Sequence, residues 1–97
     1  MIKHIVLYKL IDNTNHSIIG ETITKLKSMV GRVPQILELE VGVDFLKSSR
    51  SYDIVLSVLL PNKEALREYQ QNQYHHEFVK PFMHSNISSS VAIDYEI

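Results

Sequence analysis

Two strand-length segments carry apolar residues on both faces. In Lys3–Ile11, His4, Val6, Tyr8 and Leu10 alternate with Lys3, Ile5, Leu7, Lys9 and Ile11. In Tyr52–Leu60, Tyr52, Ile54, Leu56, Val58 and Leu60 alternate with Asp53, Val55, Ser57 and Leu59. A sheet with one solvated face alternates cleanly between apolar and polar, so strands like these need cover on both sides. The helical segments are too few to cover both faces. A second copy of the chain is the simplest remaining cover, and the space between two such sheets is where a function is expected to sit.

The other segments fill in the order of elements. The first strand runs over Ile2–Ile11, and Asp12–Asn15 is turn chemistry rich in helix N-cap residues. Ile18, Ile19, Thr22, Ile23, Leu26, Met29 and Val30 then form one helical stripe, stopped by Gly31 and Pro34. Glu21 and Lys25 are spaced for an i, i+4 ion pair on its other side. Gln35–Phe45 is the one strand that alternates cleanly, with Leu37, Leu39, Val41 and Val43 against Glu38, Glu40, Gly42 and Asp44, which places it at a partly exposed edge. After a polar loop at Lys47–Ser51 comes the third strand, Tyr52–Leu60. A helix over Lys63–Gln71 follows, with Ala65, Leu66 and Tyr69 facing inward. A short helical segment from Tyr74 to about Lys80 has Tyr74, Phe78 and Phe82 as its apolar row. Pro81 is expected to kink or end it, because proline cannot donate to the carbonyl of Glu77. The last strand covers Ser89–Ile97.

Strand, helix, strand, strand, helix, strand is a doubled βαβ unit, with two right-handed crossovers interleaved into one antiparallel four-stranded sheet. The fold class is therefore α+β and ferredoxin-like, a single domain over residues 1–97 with both helical regions on one face. The other face stays open, and pairing sheet to sheet with a second copy would close a dimeric α/β barrel.

Composition removes several function classes. The net charge is −1 and the basic residues are scattered, so no nucleic-acid surface is expected. There is no cysteine, which excludes disulfides, thiolate metal sites and cysteine nucleophiles and is consistent with a cytoplasmic location. No apolar run approaches the length of a membrane span, and the N-terminus opens a strand pattern rather than a signal peptide.

Lys3–Leu10, Leu39–Val43, Tyr52–Leu56, Leu66–Gln70, His75–Val79 and Ile93–Glu96, taken in order, resemble the stress-responsive A/B barrel domain family over nearly the whole chain. The resemblance implies a dimer of ferredoxin-like subunits packed sheet against sheet. Many members have no known activity, and some resemble plant stress proteins that form larger oligomers. One branch consists of polyketide cyclases that use a tyrosine and a histidine for a cofactor-free intramolecular aldol condensation. Its tyrosine matches Tyr69, its histidine matches His75, and the first-strand histidine matches His4. Two positions depart from the pattern: Asn72-Gln73 stands where His-Pro is common, and Ile54 where the third strand often has a histidine.

Along an unbroken helix Tyr69 and His75 would point about 120° apart, so their convergence requires a break near Asn72-Gln73. If they converge, His75 is suited to general-base work and Tyr69 to donating a hydrogen bond to a developing oxyanion. Otherwise Tyr69 is core packing and His75 a helix-start or surface residue. His4, Tyr8 and Ile54 complete the expected ligand-contacting set. His4 and Tyr8 share a face with Val6 and either line the space between the sheets or form polar edges of a packed dimer core. His76 and His84 are expected on the surface, and His16 in a loop. Glu38 and Glu40 are expected on a solvated strand face. Ser88–Ser90 lack the context of a nucleophile elbow. No metal site or cofactor is expected.

Three functions follow. The first is small-molecule binding in an apolar pocket of each subunit, between the sheet and the kinked second helix. The second is cofactor-independent acid–base catalysis by Tyr69 and His75, with monooxygenase-like chemistry on related barrels as an analogy of fold alone. The third is a structural dimer with a filled barrel, in which Phe45, Leu56, Val58, Val91 and Ile93 are core and dimer contacts.

Overall fold

The computed structural model of residues 1–97 contains the expected elements and one further helix. Strand β1 (Ile2–Leu10) is followed by helix α1 (His16–Lys27), strands β2 (Glu38–Val43) and β3 (Ile54–Leu60), and helix α2 (Lys63–Gln71). A π-helical turn (His75–Val79), helix α3 (Lys80–Asn86) and strand β4 (Ile87–Glu96) complete the chain. No helix is long and apolar enough to cross a membrane.

Local chemistry sets the element ends. Asn15 Oδ1 accepts the N–H of Ile18 at 3.1 Å, so α1 opens at His16, which is a first-turn residue and not a loop residue. Asn62 Oδ1 accepts the N–H of Ala65 at 2.8 Å and starts α2 in the same way. Helix α1 closes at Lys27, and the chain then turns through Gly31, whose φ of 84° lies in the left-handed region. The expected Glu21–Lys25 pair does not form; Lys25 Nζ lies 5.6 Å from the centre of the Phe82 ring and ties α1 to α3. Strand β3 begins at Ile54 because Asp53 has another role. The buried Asp53 carboxylate accepts the N–H of Leu10 at 2.8 Å and Nδ2 of Asn13 at 3.1 Å, bracing the end of β1.

The strands form one antiparallel sheet in the order β2-β3-β1-β4, the ferredoxin-like arrangement. Strand β2 lies at an edge, and Glu38 and Glu40 stay exposed on it. The register sets His4 between Val58 and Asp94, and Tyr8 between Ile54 and Ser90. All helices lie on the face that carries these residues. Ile54, Leu56, Val58 and Leu60 are almost fully buried there against Leu26, Met29, Ala65, Tyr69, Val79 and Met83. Each such side chain contributes about 1.5–3 kcal/mol on burial. Leu56 and Val58 are therefore core residues under the helices, not contacts to a second subunit. The opposite face carries Ile5 and Leu7 beside Ile93 and Val91, and Ile93 is 59% exposed. Phe45, 91% exposed, sits in the loop after β2.

Pro81 does not end the helical arm, which continues to Asn86. The wide turn at His75–Val79 takes up the missing donor: Lys80 N–H donates to the carbonyl of His75, five residues back. Pro81 then lies in the first turn of α3, where no backbone N–H is required. Strand β4 accordingly starts at Ile87, two residues before the expected Ser89.

Candidate functional site

The break between Tyr69 and His75 falls at Asn72. This residue leaves the helix (φ −61°, ψ 135°), and its Oδ1 accepts the N–H of His75 at 3.2 Å, so one side chain restarts the helix that its backbone interrupts. The restart turns His75 back toward α2. The Tyr69 and His75 rings come within 5.0 Å between centroids, and the His4 ring packs edge-on against Tyr69 at 5.4 Å. Tyr69 is thus clasped between two imidazoles.

These three rings border a cavity of about 490 Å³ between β1, the start of β4 and the arm formed by α2, the π-turn and α3. The cavity lies inside one subunit, between sheet and helices. His4 and Tyr8 therefore do not line the space between two sheets, because the even positions of β1 face the helices. Ile54 is 2% exposed, packs in the core opposite Tyr8 and does not border the cavity. The cavity wall adds apolar Val6, Val79, Met83 and Ile87. At the mouth stand Lys80, His84 and Ser88–Ser90; His84, expected as a plain surface residue, shares the wall with Met83 one turn beyond Lys80.

His4 is 7% exposed, and its Nδ1 donates to the carboxylate of Asp94, its direct neighbour across the β1–β4 ladder. A carboxylate only accepts, so the proton resides on Nδ1 and Nε2 is left as the acceptor available to the cavity. Asp94 was not identified from sequence as a site residue. Alternation places it on the face opposite Ile93, but only the register reveals that it meets His4.

His75 has no such partner. Its Nδ1 is buried without a hydrogen bond. Burial, aided by the nearby Lys80, His76 and His4, pushes its pKa down to about 4, so the ring is neutral at physiological pH. Burial raises Tyr8 to about 12, and burial followed by the fields of Tyr8 and Asp94 drives Tyr69 higher still, so both phenols remain protonated. The Tyr69 hydroxyl donates to the thioether of Met29 at 3.9 Å, a weak acceptor from which a bound oxygen could claim the proton. The site thus offers a hydrogen-bonded His–Asp pair, a neutral imidazole and two protonated phenols around an apolar space. This equipment can orient a polar group on a small molecule or move a proton.

The whole subunit has close structural relatives. A dimeric ferredoxin-like protein of unknown function from Thermobifida fusca superposes with a TM-score of 0.86 at 21% identity, over 99% of this chain and 90% of that one. A protein from Arabidopsis thaliana gives 0.86 at 23% identity, over 100% and 95% of the two chains. The hydroxynitrile lyase of Passiflora edulis gives 0.84 at 16% identity, over 99% and 92%. At these identities the likeness shows the fold. No curated protein matches the chain significantly in sequence. The family model described as the stress responsive A/B barrel domain matches residues 2–97, and the chain belongs to that family.

Proposed function

We propose that the protein is a homodimer in which each subunit binds a small apolar or aromatic molecule in the cavity between sheet and helical arm. One observation carries the reading: about 490 Å³ of space in which Val6, Val79, Met83 and Ile87 surround the converging rings of His4, Tyr69 and His75. Ligand pockets have this size and bring polar groups together beside an apolar wall. No protein group hydrogen-bonds the His75 ring, which leaves it to a bound molecule or water. Homodimerisation through the open sheet face is supported by the exposure there of Val91, Ile93 and Tyr95, and by structural neighbours described as dimeric.

The His4–Asp94 pair favours a second reading, cofactor-independent acid–base catalysis. His75, with its depressed pKa, is a poor proton acceptor at neutral pH. His4 is better placed for that role, because its Nδ1 bond to Asp94 fixes the tautomer and leaves Nε2 as the acceptor. In this reading Nε2 of His4 takes a proton from the substrate. The Tyr69 hydroxyl then hydrogen-bonds the oxygen on which charge develops.

Protein-observed NMR during titration with a panel of small aromatic and aliphatic molecules tests the binding reading. Shift changes should centre on His4, Tyr69, His75 and Met83, and a folded Val6→Phe variant, which fills the cavity, should lose them. No response from any member of the panel, or changes confined to other surfaces, overturns it.

A further inference from the structure

The groups around the cavity are uneven in charge. Its wall holds Lys80, His4, His75 and His84 and not one Asp or Glu. The nearest carboxylate, Asp94, is bound to His4. Lys80 is the one permanently charged group on the wall, and no anion in the chain pairs with it. Glu77, one turn earlier, accepts from Gln73 Nε2 at 3.2 Å instead. The other ion pairs join Lys63 to Glu96 and Arg67 to Glu64, on other surfaces.

Beside Lys80 the β1–β4 register slips by one residue. Lys9 faces Ser89 and Leu10 faces Ile87, so Ser88 is skipped and three successive serines border the cavity mouth. Ser88 Oγ donates to the carbonyl of Lys9 at 3.3 Å, whereas the hydroxyl of Ser90 has no partner in the chain. Ser90, opposite Tyr8, is on the helix-facing side with the cavity, whereas Ser89, opposite Lys9, belongs to the other face of the sheet. An uncompensated ammonium and the free Ser90 hydroxyl thus stand at one end of the cavity. The opposite end is closed by Tyr69 and the imidazoles.

We propose that the ligand of this cavity is a small amphipathic carboxylate. Its carboxylate sits at the mouth between Lys80 and the hydroxyl of Ser90, and its apolar body lies against Val6, Val79 and Met83. The inference rests on the cavity reading above and adds the chemical class of the ligand. The neighbouring groups reinforce it: after burial itself, Lys80, His76 and His4 also lower the His75 pKa, and the same groups disfavour a cationic ligand.

Isothermal titration of 4-butylbenzoate against the uncharged isostere 4-butylbenzamide separates the two readings. The carboxylate should bind the wild type about tenfold more tightly, as a charge-assisted contact at a partly exposed rim gives. Lys80→Met should erase that preference, weakening benzoate binding about tenfold and benzamide binding far less. Lys27→Met, on the distant face of α1, should keep the preference. Raising the salt concentration should narrow it in the wild type and in Lys27→Met alike. Equal binding of the two probes, or a preference that survives Lys80→Met, overturns the carboxylate assignment and leaves the cavity reading standing. If neither probe binds, the cavity reading falls, and the carboxylate assignment with it.

Discussion

Lowering the pH from about 7 to about 4.5 should destabilise the protein through His75, with a sign fixed by linkage. Its pKa is depressed from 6.5 to about 4 in the native state, mainly by burial. At pH 7 the ring is neutral in both states and contributes no difference. Between 6.5 and 4 the unfolded chain binds a proton that the native site refuses, so stability falls as pH falls through this window. Below 4 both states are protonated, and the loss reaches its limit. A sealed ring would lose roughly 3 kcal/mol over that span, but this ring is partly exposed and screening reduces the loss to about 1–2 kcal/mol. A domain of this size then melts about 4–16 °C lower from this group alone. The assay is urea unfolding of wild type and His75→Gln across the window. Glutamine does not titrate, so the difference in stability between the two proteins should change by about 1–2 kcal/mol between pH 7 and 4.5, with the variant less sensitive to acid. Parallel profiles would refute the reasoning, as would an NMR titration of the His75 ring with a midpoint near 6.5.

Other outcomes follow from the same geometry. Asp94→Ala leaves the buried Nδ1–H of His4 without an acceptor and should cost about 1–2 kcal/mol, while Asp94→Asn keeps an oxygen there and should cost about half as much; indistinguishable thermal melts of both variants and wild type would dismiss the pair. Tyr69→Phe removes only a weak bond to Met29 and should lower stability by less than about 0.5 kcal/mol, whereas Tyr69→Ala empties the centre of the core and should cost about 3–5 kcal/mol in urea denaturation. Light scattering should give about twice the 11.2 kDa subunit mass for the wild type and one subunit for Ile93→Glu; a wild-type monomer at micromolar concentration would remove the account of the open face.

Much of the fold was legible from local pattern. Alternation identified the strands, the clean alternation of Leu37–Asp44 placed β2 at an edge, and apolar spacing gave α2 its range of Lys63–Gln71, because these features depend on residues near one another in the chain. The doubly apolar strands predicted cover on both faces; the helices cover one, and Val91 and Ile93 lie exposed on the other. The break at Asn72-Gln73 was readable too, as the condition for Tyr69 to meet His75.

Tertiary structure decided which face was which. A strand's period of two sorts residues into faces but does not say which face the helices take, so His4 and Tyr8 belong to a cavity within the subunit and not to a space between subunits. Passage of the helix through Pro81 depends on the hydrogen-bond pattern of the preceding turn, which proline's local rule does not contain. The pairing of His4 with Asp94 joins residues ninety positions apart, and the slip that sets Ser90 opposite Tyr8, on the cavity side, is a property of two strands together. Sequence alone determined that this sheet is apolar on both faces and that a tyrosine and histidines were available to it. The register between strands, a long-range property that no local periodicity encodes, decided which of them meet.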